Sequence, residues 1–542
     1  MGVMRKPPIL PALKKYICGW IEWSNIVKHY YVALTCFEFA DIYHLQNLPP
    51  FLIFTIMENT QYEQIIVGAG FSGLCIGIKL KEAGMDNFII LDRNRHIGGT
   101  WYDNDYPGAA CDVESHLYSF SFEPKSDWSR EFGPQGEILQ YMEHCAEKYK
   151  LTPHIRLNTS IEKAVFDEKR GLWTVTARGG DTFTARILLN CSGGLSEPAL
   201  PQIKGLDTFA GKVFHSARWD KSFDPEGKKV AVIGTGASAI QIVPAIVQKV
   251  KHLDLFQRTA PWILPKPDKD ISKFRRRLYR SLPFMQSLHR ARLYWSHELM
   301  ALGFVVSPSI MKLGGKIVIR FLNKSINDPV LRKKLTPTYT LGCKRILLSN
   351  EYYPAMEQPN LSLITEGIEE ITAKGIKTRD GVEHDVDTII MATGFQAAEG
   401  VLRYEVKGKG GLDLNDAWRD GAEAYLGTSI NGFPNMFIVV GPNTGLGHSS
   451  MILMIEAQVG YIMQALKTLK EKGAKYTDVK KEVEKEYNND LQSRLAKTVW
   501  QSGGCMSWYQ TKSGKNVTLW PGFTFTFMRK TKHFEPEKYE WG

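Results

Sequence analysis

The chain contains 542 residues, of which 43% are hydrophobic and 23% are charged, and its formal net charge is +11. This length requires two or three domains, and the composition excludes a disordered or fibrous protein. No run of about 18 apolar residues is free of charge, so the sequence predicts no membrane-spanning helix.

The eight cysteines are scattered, without a CxxC pair and without a histidine at zinc-binding spacing. We therefore expect neither a disulfide framework nor a metal site, and a reducing compartment, the cytoplasm, is the default location. Residues 1–56 carry no signal-peptide pattern. Because the sequence from Met57 resembles an ordinary protein start, we interpret residues 1–56 as a gene-model artefact or an extension, with an amphipathic membrane-surface segment as the alternative.

The first recognisable unit begins with an apolar strand at residue 64. Gly68, Gly70 and Gly73 follow in GxGxxG spacing, then a helix, then a second strand that ends in Asp92. The glycines permit a tight turn, the approach of a pyrophosphate to the helix N-terminus, and close packing of helix on strand. A carboxylate at Asp92 accepts hydrogen bonds from a ribose diol and selects a dinucleotide that lacks a 2′-phosphate.

The next stretch, GGTWYDNDYPGAACD, is rich in glycine and aromatic residues. A loop with a few buried aromatics is the simpler interpretation. At Gly99, however, the backbone can lie against a flat ring, and Thr100 and Trp101 are candidate cofactor contacts beside it. Asp112 follows a Pro-Gly turn and is placed to reach a charged partner elsewhere in the chain.

Between the two nucleotide motifs lies the stretch FAGKVFHSARW, from Phe209 to Trp219. A single histidine beside aromatic residues is more often structural than catalytic. This position suits a connector between domains, so we interpret His215 as coupling domain movement to nucleotide docking rather than as a proton donor.

A second nucleotide motif follows, with Gly234, Gly236, Ser238 and Ala239 in a GxGxxA variant. The next strand ends in Gln-Arg instead of an acid. Arg258 at that place would pair with a 2′-phosphate, which indicates NADPH, although an exposed arginine at a strand end is the alternative. Two motifs with opposite ribose chemistry predict FAD on the first and NADPH on the second.

The segment from about 268 to 335 has a helical pattern and departs in composition. Residues 271–335 carry fourteen basic residues against the acids Glu298 and Asp328: Lys273, Arg275, Arg276, Arg277, Arg280, Arg290, Arg292, Lys312, Lys316, Arg320, Lys324, Arg332, Lys333 and Lys334. Residues 299–322 are apolar enough to lie on a lipid surface. A solvated basic face over a small helical core is the simpler interpretation, and nucleic-acid binding is disfavoured.

The remainder of the chain contains two further predicted strands, each followed by a glycine-rich loop. The first ends at Gly394, where the backbone can pass close to a cofactor. The second precedes a long helix at 451–469. Lys344 and Arg345 lie in an apparent loop between these units and the insertion, and the aromatic C-terminal tail is strand-like in pattern.

Together these motifs resemble the class B flavoprotein monooxygenases, and among them the Baeyer-Villiger monooxygenases. The family fingerprint FxGxxxHxxxW followed by Pro or Asp is matched by Phe209, Gly211, His215, Trp219 and Asp220. A second fingerprint is matched by Gly99, Trp101, Tyr106, Pro107, Gly108 and Asp112. The resemblance runs from about residue 62 to residue 539.

The resemblance implies an α/β protein with two Rossmann-like dinucleotide-binding domains and a helical insertion in the NADPH domain. The expected divisions are 1–56 as an extension, 57–197 and 381–542 as the two parts of the FAD domain, and 198–380 as the NADPH domain. Arg345 resembles the active-site arginine and Asp112 its carboxylate partner. Lys344 and Arg258 resemble the contacts to the NADPH phosphate, and Trp508 a mobile-loop tryptophan.

The implied activity is FAD-dependent, NADPH-consuming insertion of one oxygen atom of O2 into a ketone, through a C4a-peroxyflavin, to give an ester or lactone. Three alternatives remain open: a flavin-containing monooxygenase acting on sulfur or amine nitrogen, a nucleotide-binding protein without catalysis, and a disulfide-type reductase, which the missing CxxC disfavours. Ala110 stands where many members have arginine, which leaves the charge of the pocket and the range of substrates open.

Overall fold

The computed structural model describes residues 60–396 and 402–542, so the predicted extension 1–56 lies outside the described residues. The strands are β1 Thr60–Val67, β2 Phe88–Leu91, β3 Ile155–Arg156, β4 Ile161–Asp167, β5 Leu172–Ala177, β6 Thr182–Asn190, β7 Lys212–His215, β8 Lys229–Ile233, β9 His252–Phe256, β10 Ile263–Leu264, β11 Leu347–Leu348, β12 Leu361–Ile364, β13 Ile368–Ile371, β14 Gly375–Thr378, β15 Glu383–Asp385, β16 Thr388–Met391, β17 Glu405–Lys407, β18 Met436–Ile438, β19 Thr477–Val479 and β20 Tyr539–Trp541.

The α-helices are α1 Phe71–Glu82, α2 Thr100–Asp103, α3 Gln135–Lys148, α4 Ala239–Ile246, α5 Lys273–Ser281, α6 Pro283–Val305, α7 Pro308–Ser325, α8 Pro329–Lys334, α9 Tyr352–Met356, α10 Leu414–Ala417, α11 Met451–Lys472, α12 Lys481–Leu495, α13 Val499–Ser502 and α14 Thr524–Lys530.

The larger sheet has the strand order β17-β4-β5-β6-β1-β2-β3, and β18 also pairs with β6. Strands β1, β2, β3 and β18 pair in parallel, and β6 is parallel to β1 and β18 but antiparallel to β5. The side chains of β2, of β18 and of residues 64–67 in β1 are all buried, as the short apolar runs of a parallel sheet predict. Because β17 and β18 come from beyond residue 404, this sheet draws on two separate parts of the chain.

The second sheet has five strands in the order β12-β9-β8-β16-β7, all parallel. Strand β16 pairs with β8 through Ile390 and Val232. This strand ends at Met391, about ten residues beyond the predicted domain boundary at 380. One mixed and one all-parallel sheet, each containing a strand followed by a glycine-rich turn and a helix, confirm the predicted α/β class.

Helices α5 to α8 lie between β10 and β11 and form the predicted helical insertion. Among the described residues, no single helix is long and apolar enough to cross a membrane. Helices α6 and α7 reach the required length and composition only as a pair, and they are bent by 110° relative to each other.

Two sequence-based expectations are wrong. The C-terminal tail was expected to be strand-like, yet residues 524–530 form a helix in which Phe527 is buried while Phe525 and Met528 face solvent. The expected absence of disulfides is also wrong, because Cys343 and Cys505 are bonded, with Cα atoms 6.2 Å apart. A pair separated by 162 residues leaves no signature in cysteine spacing.

Candidate active site

The first glycine-rich turn is built by close packing. Gly68 has φ +108°, and a Cβ atom at Gly73 would lie 1.8 Å from the carbonyl oxygen of Gly68. Helix α1 therefore begins directly against the turn, which only glycine permits. Asp92 is buried at the end of β2, and its carboxylate accepts hydrogen bonds from the backbone N–H groups of Ala69, at 2.6 Å, and Asn94, at 2.8 Å.

Gly99 brings the second fingerprint to this turn. It has φ +52°, and its Cβ position lies 3.1 Å from the Cα of Gly70. Thr100 and Trp101 follow as the first residues of α2, and the Trp101 indole donates to the hydroxyl of Tyr118 at 3.2 Å. The sequence-predicted residues of the first motif therefore converge on one place in the fold.

The second turn repeats the first with one informative difference. A Cβ at Gly234, where φ is +111°, would lie 2.4 Å from the carbonyl oxygen of Ala392. At Gly236 and Gly394, by contrast, a Cβ would meet no atom of residues 60–396 and 402–542 within 4 Å. Space that the protein leaves open beside these glycines fits a nucleotide that approaches the backbone. Ser238 and Ala239 begin α4 at the same place.

A bidentate ion pair joins two distant parts of the chain. The Arg345 Nε and Nη2 atoms donate to the two carboxylate oxygens of Asp112, each at 2.7 Å, and the side chains remain 31% and 27% exposed. Burial opposes ionisation of Asp112, but the charge of Arg345, with a smaller contribution from Lys266, holds the pKa of this carboxyl below its ordinary value. The carboxylate in turn raises the pKa of Arg345.

The loop that presents Asp112 is clamped to the second nucleotide helix. Gln241 on α4 donates to the carbonyl of Ala110 at 2.9 Å and accepts from the hydroxyl of Tyr106 at 3.1 Å. Gly108 has φ +82°, and a Cβ there would lie 2.8 Å from the carbonyl oxygen of Gln241. The second fingerprint is therefore a contact surface between the two nucleotide units.

Two cations lie near each other beside the second nucleotide motif. Burial, together with the positive charge of Arg258, lowers the pKa of Lys344. Lys344 lies over the ring of Tyr339 at 5.1 Å. Neither Lys344 nor Arg258 has a carboxylate partner in the described part of the chain. Two neighbouring cations without such a partner form a site suited to a phosphate.

His215 ends β7 and is 5% exposed. Its Nδ1 accepts from the backbone N–H of Ala217 at 3.1 Å, and its ring meets that of Phe395 edge-on at 5.9 Å. Burial lowers its pKa to about 4, and the charge of Arg218 acts in the same direction. A neutral histidine that lies at the end of β7 and packs on Phe395 suits a connector better than a proton donor.

Comparisons with known proteins give consistent matches. The family model of the pyridine nucleotide-disulphide oxidoreductases matches residues 65–277. A Baeyer-Villiger monooxygenase from Pseudomonas aeruginosa is 50% identical over 475 residues, which cover 88% of this chain and 90% of the relative. The chain belongs to the Baeyer-Villiger monooxygenase family.

Solved structures agree with this membership. A crystal structure of OTEMO in complex with FAD and NADP has a TM-score of 0.81 and 28% identity, covering 89% of this chain and 99% of that one. The closed structure of cyclohexanone monooxygenase also has a TM-score of 0.81, at 27% identity, with the same two coverages. The prediction of an FAD- and NADPH-dependent flavoprotein monooxygenase of the Baeyer-Villiger type is confirmed.

Sequence patterns did not identify a second ion pair near the first in this Baeyer-Villiger family member. His297 on α6 contacts Glu114 through Nε2 at 2.7 Å and the carbonyl of His448 through Nδ1 at 2.6 Å. Both ring nitrogens face oxygen acceptors, which indicates the doubly protonated imidazolium. Although burial opposes the charge, Glu114 raises the pKa of His297. The insertion is thereby fastened two residues from Asp112.

Tyr509 is a further residue that no motif indicated. It is 1% exposed, its hydroxyl has no hydrogen-bond partner among the described residues, and its ring lies 4.5 Å from that of Trp508. Burial raises the pKa of Tyr509 to about 12, and the charges of Arg345 and Asp112 also act on it. The Cys343–Cys505 bond fastens this segment to the loop that carries Arg345.

Replacement of His215 by alanine tests its interpretation as a connector. We expect flavin reduction by NADPH to slow by about tenfold, because the variant loses a buried hydrogen bond and its packing on Phe395. Stopped-flow absorbance of the flavin measures this rate. His215→Asn, which retains an acceptor for the Ala217 N–H, is the matched control. Unchanged reduction and unchanged coupling to product in the alanine variant would show that His215 has no such role.

The buried histidines allow the pH dependence of the free energy of unfolding to be predicted. Burial lowers the pKa to about 3 for His116 and to about 4 for His215 and His448. Below the unfolded pKa of about 6.5 the unfolded chain binds more protons than the native protein, so stability is lost as pH falls towards 4, by about 3 kcal/mol for His215 alone.

His297 has the opposite sign, because its raised pKa gives stability that is lost as pH rises through the folded value. Denaturant midpoints of the holoenzyme, measured from pH 4 to 9, are expected to pass through a maximum near neutrality. The variant His215→Gln should lose less stability in acid than wild type, and an equal loss would contradict the assignment.

Proposed function

We propose that the chain oxygenates ketones to esters or lactones, with Arg345 and Asp112 as its catalytic pair. The observation that supports this assignment is the bidentate, partly exposed ion pair between them. The pair lies within reach of both nucleotide units, since the Asp112 loop is clamped to α4 and Arg345 follows Lys344.

The proposed FAD contacts are the residues of the first motif and of the second fingerprint: Gly68, Gly70, Gly73, Asp92, Gly99, Thr100, Trp101 and Asp112. The proposed NADPH contacts are Gly234, Gly236, Ser238, Ala239, Arg258, Lys344 and Gly394. Open space beside Gly236 and Gly394 supports the second set, as does the pairing of Arg258 with Lys344. We also propose that residues 57–197 and 392–542 form the FAD domain around an NADPH domain at 198–391, since β16 pairs with β8 in the second sheet and so moves the predicted boundary at 380.

When bound, FAD reduced by NADPH activates O2 and supplies the oxygen atom that is transferred. Arg345 supplies a fixed positive charge, because the ion pair with Asp112 keeps its guanidinium protonated. Its Nε and Nη2 atoms are directed to Asp112, which leaves Nη1 without a protein acceptor among the described residues. The Nη1 N–H groups are then free to bind the oxyanion that forms as the ketone carbonyl is attacked.

Asp112 has a positioning role in this proposal. Two parallel hydrogen bonds fix the plane of the guanidinium, and the Gln241 clamp fixes the loop that carries the carboxylate. His215 contributes no proton, since its pKa of about 4 leaves the ring neutral at physiological pH.

The experiment uses the full chain purified with FAD. Ketones, sulfides and amines are supplied in turn with NADPH and isotopically labelled O2, and products are identified by mass spectrometry. We expect one labelled oxygen atom in an ester or lactone. Oxygenation of sulfides or amines without ketone turnover would favour the flavin-containing monooxygenase alternative, and FAD binding without substrate-dependent O2 uptake would indicate a protein without catalysis.

A small-molecule substrate and O2 are the partners of the family reaction. We propose in addition that the enzyme works in the cytoplasm and that its basic insertion makes peripheral contact with a membrane. The concentration of fourteen basic residues in one segment supports this contact.

A further inference from the structure

Helix α6 has two opposite faces of different character. On the inner face, Gln286 donates to the carbonyl of Lys125 at 2.8 Å and Arg290 to the carbonyl of His116 at 2.6 Å, while His297 holds Glu114. The outer face carries large apolar side chains that are 60–68% exposed: Leu288, Trp295, Leu299 and Val306. Their spacings of seven, four and seven return a helix to the same side, so they form one stripe.

Neighbouring helices extend this apolar stripe. On α7, Ile310, Leu313 and Ile317 are 51%, 63% and 62% exposed and share one side. On α14, Phe525 and Met528 are 42% and 41% exposed. The rings of Trp295 and Phe525 lie 6.3 Å apart, which joins the outer side of α6 to that of α14. We call these nine side chains, together with Phe284, the outer apolar face.

The exposed charged side chains of α6 and α7 are all of one sign. The two acids of the segment are engaged elsewhere, because Glu298 is buried and accepts from the Thr524 N–H at 3.1 Å, and Asp328 caps α8. The cations Arg292, Lys312, Lys316, Arg320 and Lys324 are exposed and form no ion pair within residues 60–396 and 402–542. Large exposed apolar patches mark contact sites, and exposed cations beside them complement an anionic surface.

We infer that the outer apolar face docks on a bilayer that contains anionic lipid, an inference that rests on the proposed membrane contact. Aromatic and aliphatic side chains enter the boundary between headgroups and acyl chains, and the cations meet the lipid phosphates. The helices lie on the surface and do not cross it. Three observations argue against a crossing. Along α7, cations alternate with the apolar residues, and the axis of α7 is bent by 110° from that of α6. The inner face of α6 is hydrogen-bonded to the rest of the protein.

The test uses the full-length holoenzyme and vesicles of phosphatidylcholine with or without phosphatidylserine. We expect sedimentation with the anionic vesicles that weakens as salt is added. In Leu288→Ser with Leu299→Ser, partition should fall by about 100-fold, because two apolar side chains no longer enter the membrane. In Lys316→Gln with Arg320→Gln, it should fall by about fivefold for each charge, on anionic vesicles only.

Matched controls are the exposed positions Leu200→Ser with Val382→Ser, and Lys169→Gln with Arg170→Gln, which lie outside the insertion and should leave partition unchanged. Equal partition of wild type and Leu288→Ser with Leu299→Ser would overturn the inference, as would failure of wild type to bind anionic vesicles. If ultracentrifugation instead shows that these substitutions split a dimer without any vesicle binding, the face is an interface between two copies and the inference is wrong. Ketone turnover is measured in every variant, so a failure of the proposed activity is seen separately.

Discussion

Replacement of Arg345 by alanine is expected to lower kcat for ketone oxygenation by about 100- to 1,000-fold. The guanidinium is the fixed cation of the proposed site, and no other described side chain donates two hydrogen bonds to Asp112. Flavin reduction by NADPH in the absence of ketone should persist, because the first nucleotide motif does not depend on Arg345. Product analysis and stopped-flow absorbance separate the two steps.

A control is needed because Arg345→Ala leaves the Asp112 carboxylate unpaired in a partly buried place, which can destabilise a protein by about 1–3 kcal/mol. Arg345→Lys retains a positive charge but loses the two parallel hydrogen bonds, and should recover part of the activity. Arg345→Ala combined with Asp112→Asn removes both charges and should regain stability without regaining turnover. Undiminished ketone turnover in Arg345→Ala would refute the role of this arginine.

Replacement of both Arg258 and Lys344 by alanine is expected to lower kcat/KM for NADPH by about 100-fold, since each charge-assisted contact to a phosphate contributes about 1.5–3 kcal/mol. The value of kcat/KM for NADH should change little, because NADH has no 2′-phosphate. The preference for NADPH should therefore disappear while the maximal rate with saturating cofactor changes much less.

Lys169→Ala with Arg170→Ala removes two exposed cations far from either glycine-rich turn and serves as the comparison. A double variant that still prefers NADPH as strongly as wild type would show that the 2′-phosphate is held elsewhere. Equal losses with NADPH and NADH would point to a general defect of the second sheet rather than to phosphate recognition.

Short-range patterns accounted for the nucleotide motifs. Gly68, Gly73 and Asp92 lie within 25 residues, and steric requirements of one turn and one strand end specify all three. The turn at Gly234 is specified in the same way. Such units are predictable because the contacts that hold them are local in sequence.

Contacts between distant segments were not predictable in this way. Gln241 meets Ala110 across 131 residues, and His297 meets Glu114 across 183. Neither contact changes the periodicity of apolar residues in the helix or loop that makes it, so no sequence pattern predicts it. For Arg345 and Asp112, family resemblance supplied the pairing that spacing alone left open. The C-terminal helix α14 was misassigned because seven residues with alternating aromatics fit a strand as well as a helix.

The order of strands in the larger sheet also has a consequence for synthesis of the protein. The second sheet is complete once Met391 has left the ribosome, whereas β6 must wait for β18, which ends at Ile438, about 250 residues after its partner. Domains form as their last strand emerges, so nascent chains can assemble the second sheet while the first is still open. Flavin capture then belongs to the final phase of translation, and chains that stop before residue 436 should remain colourless.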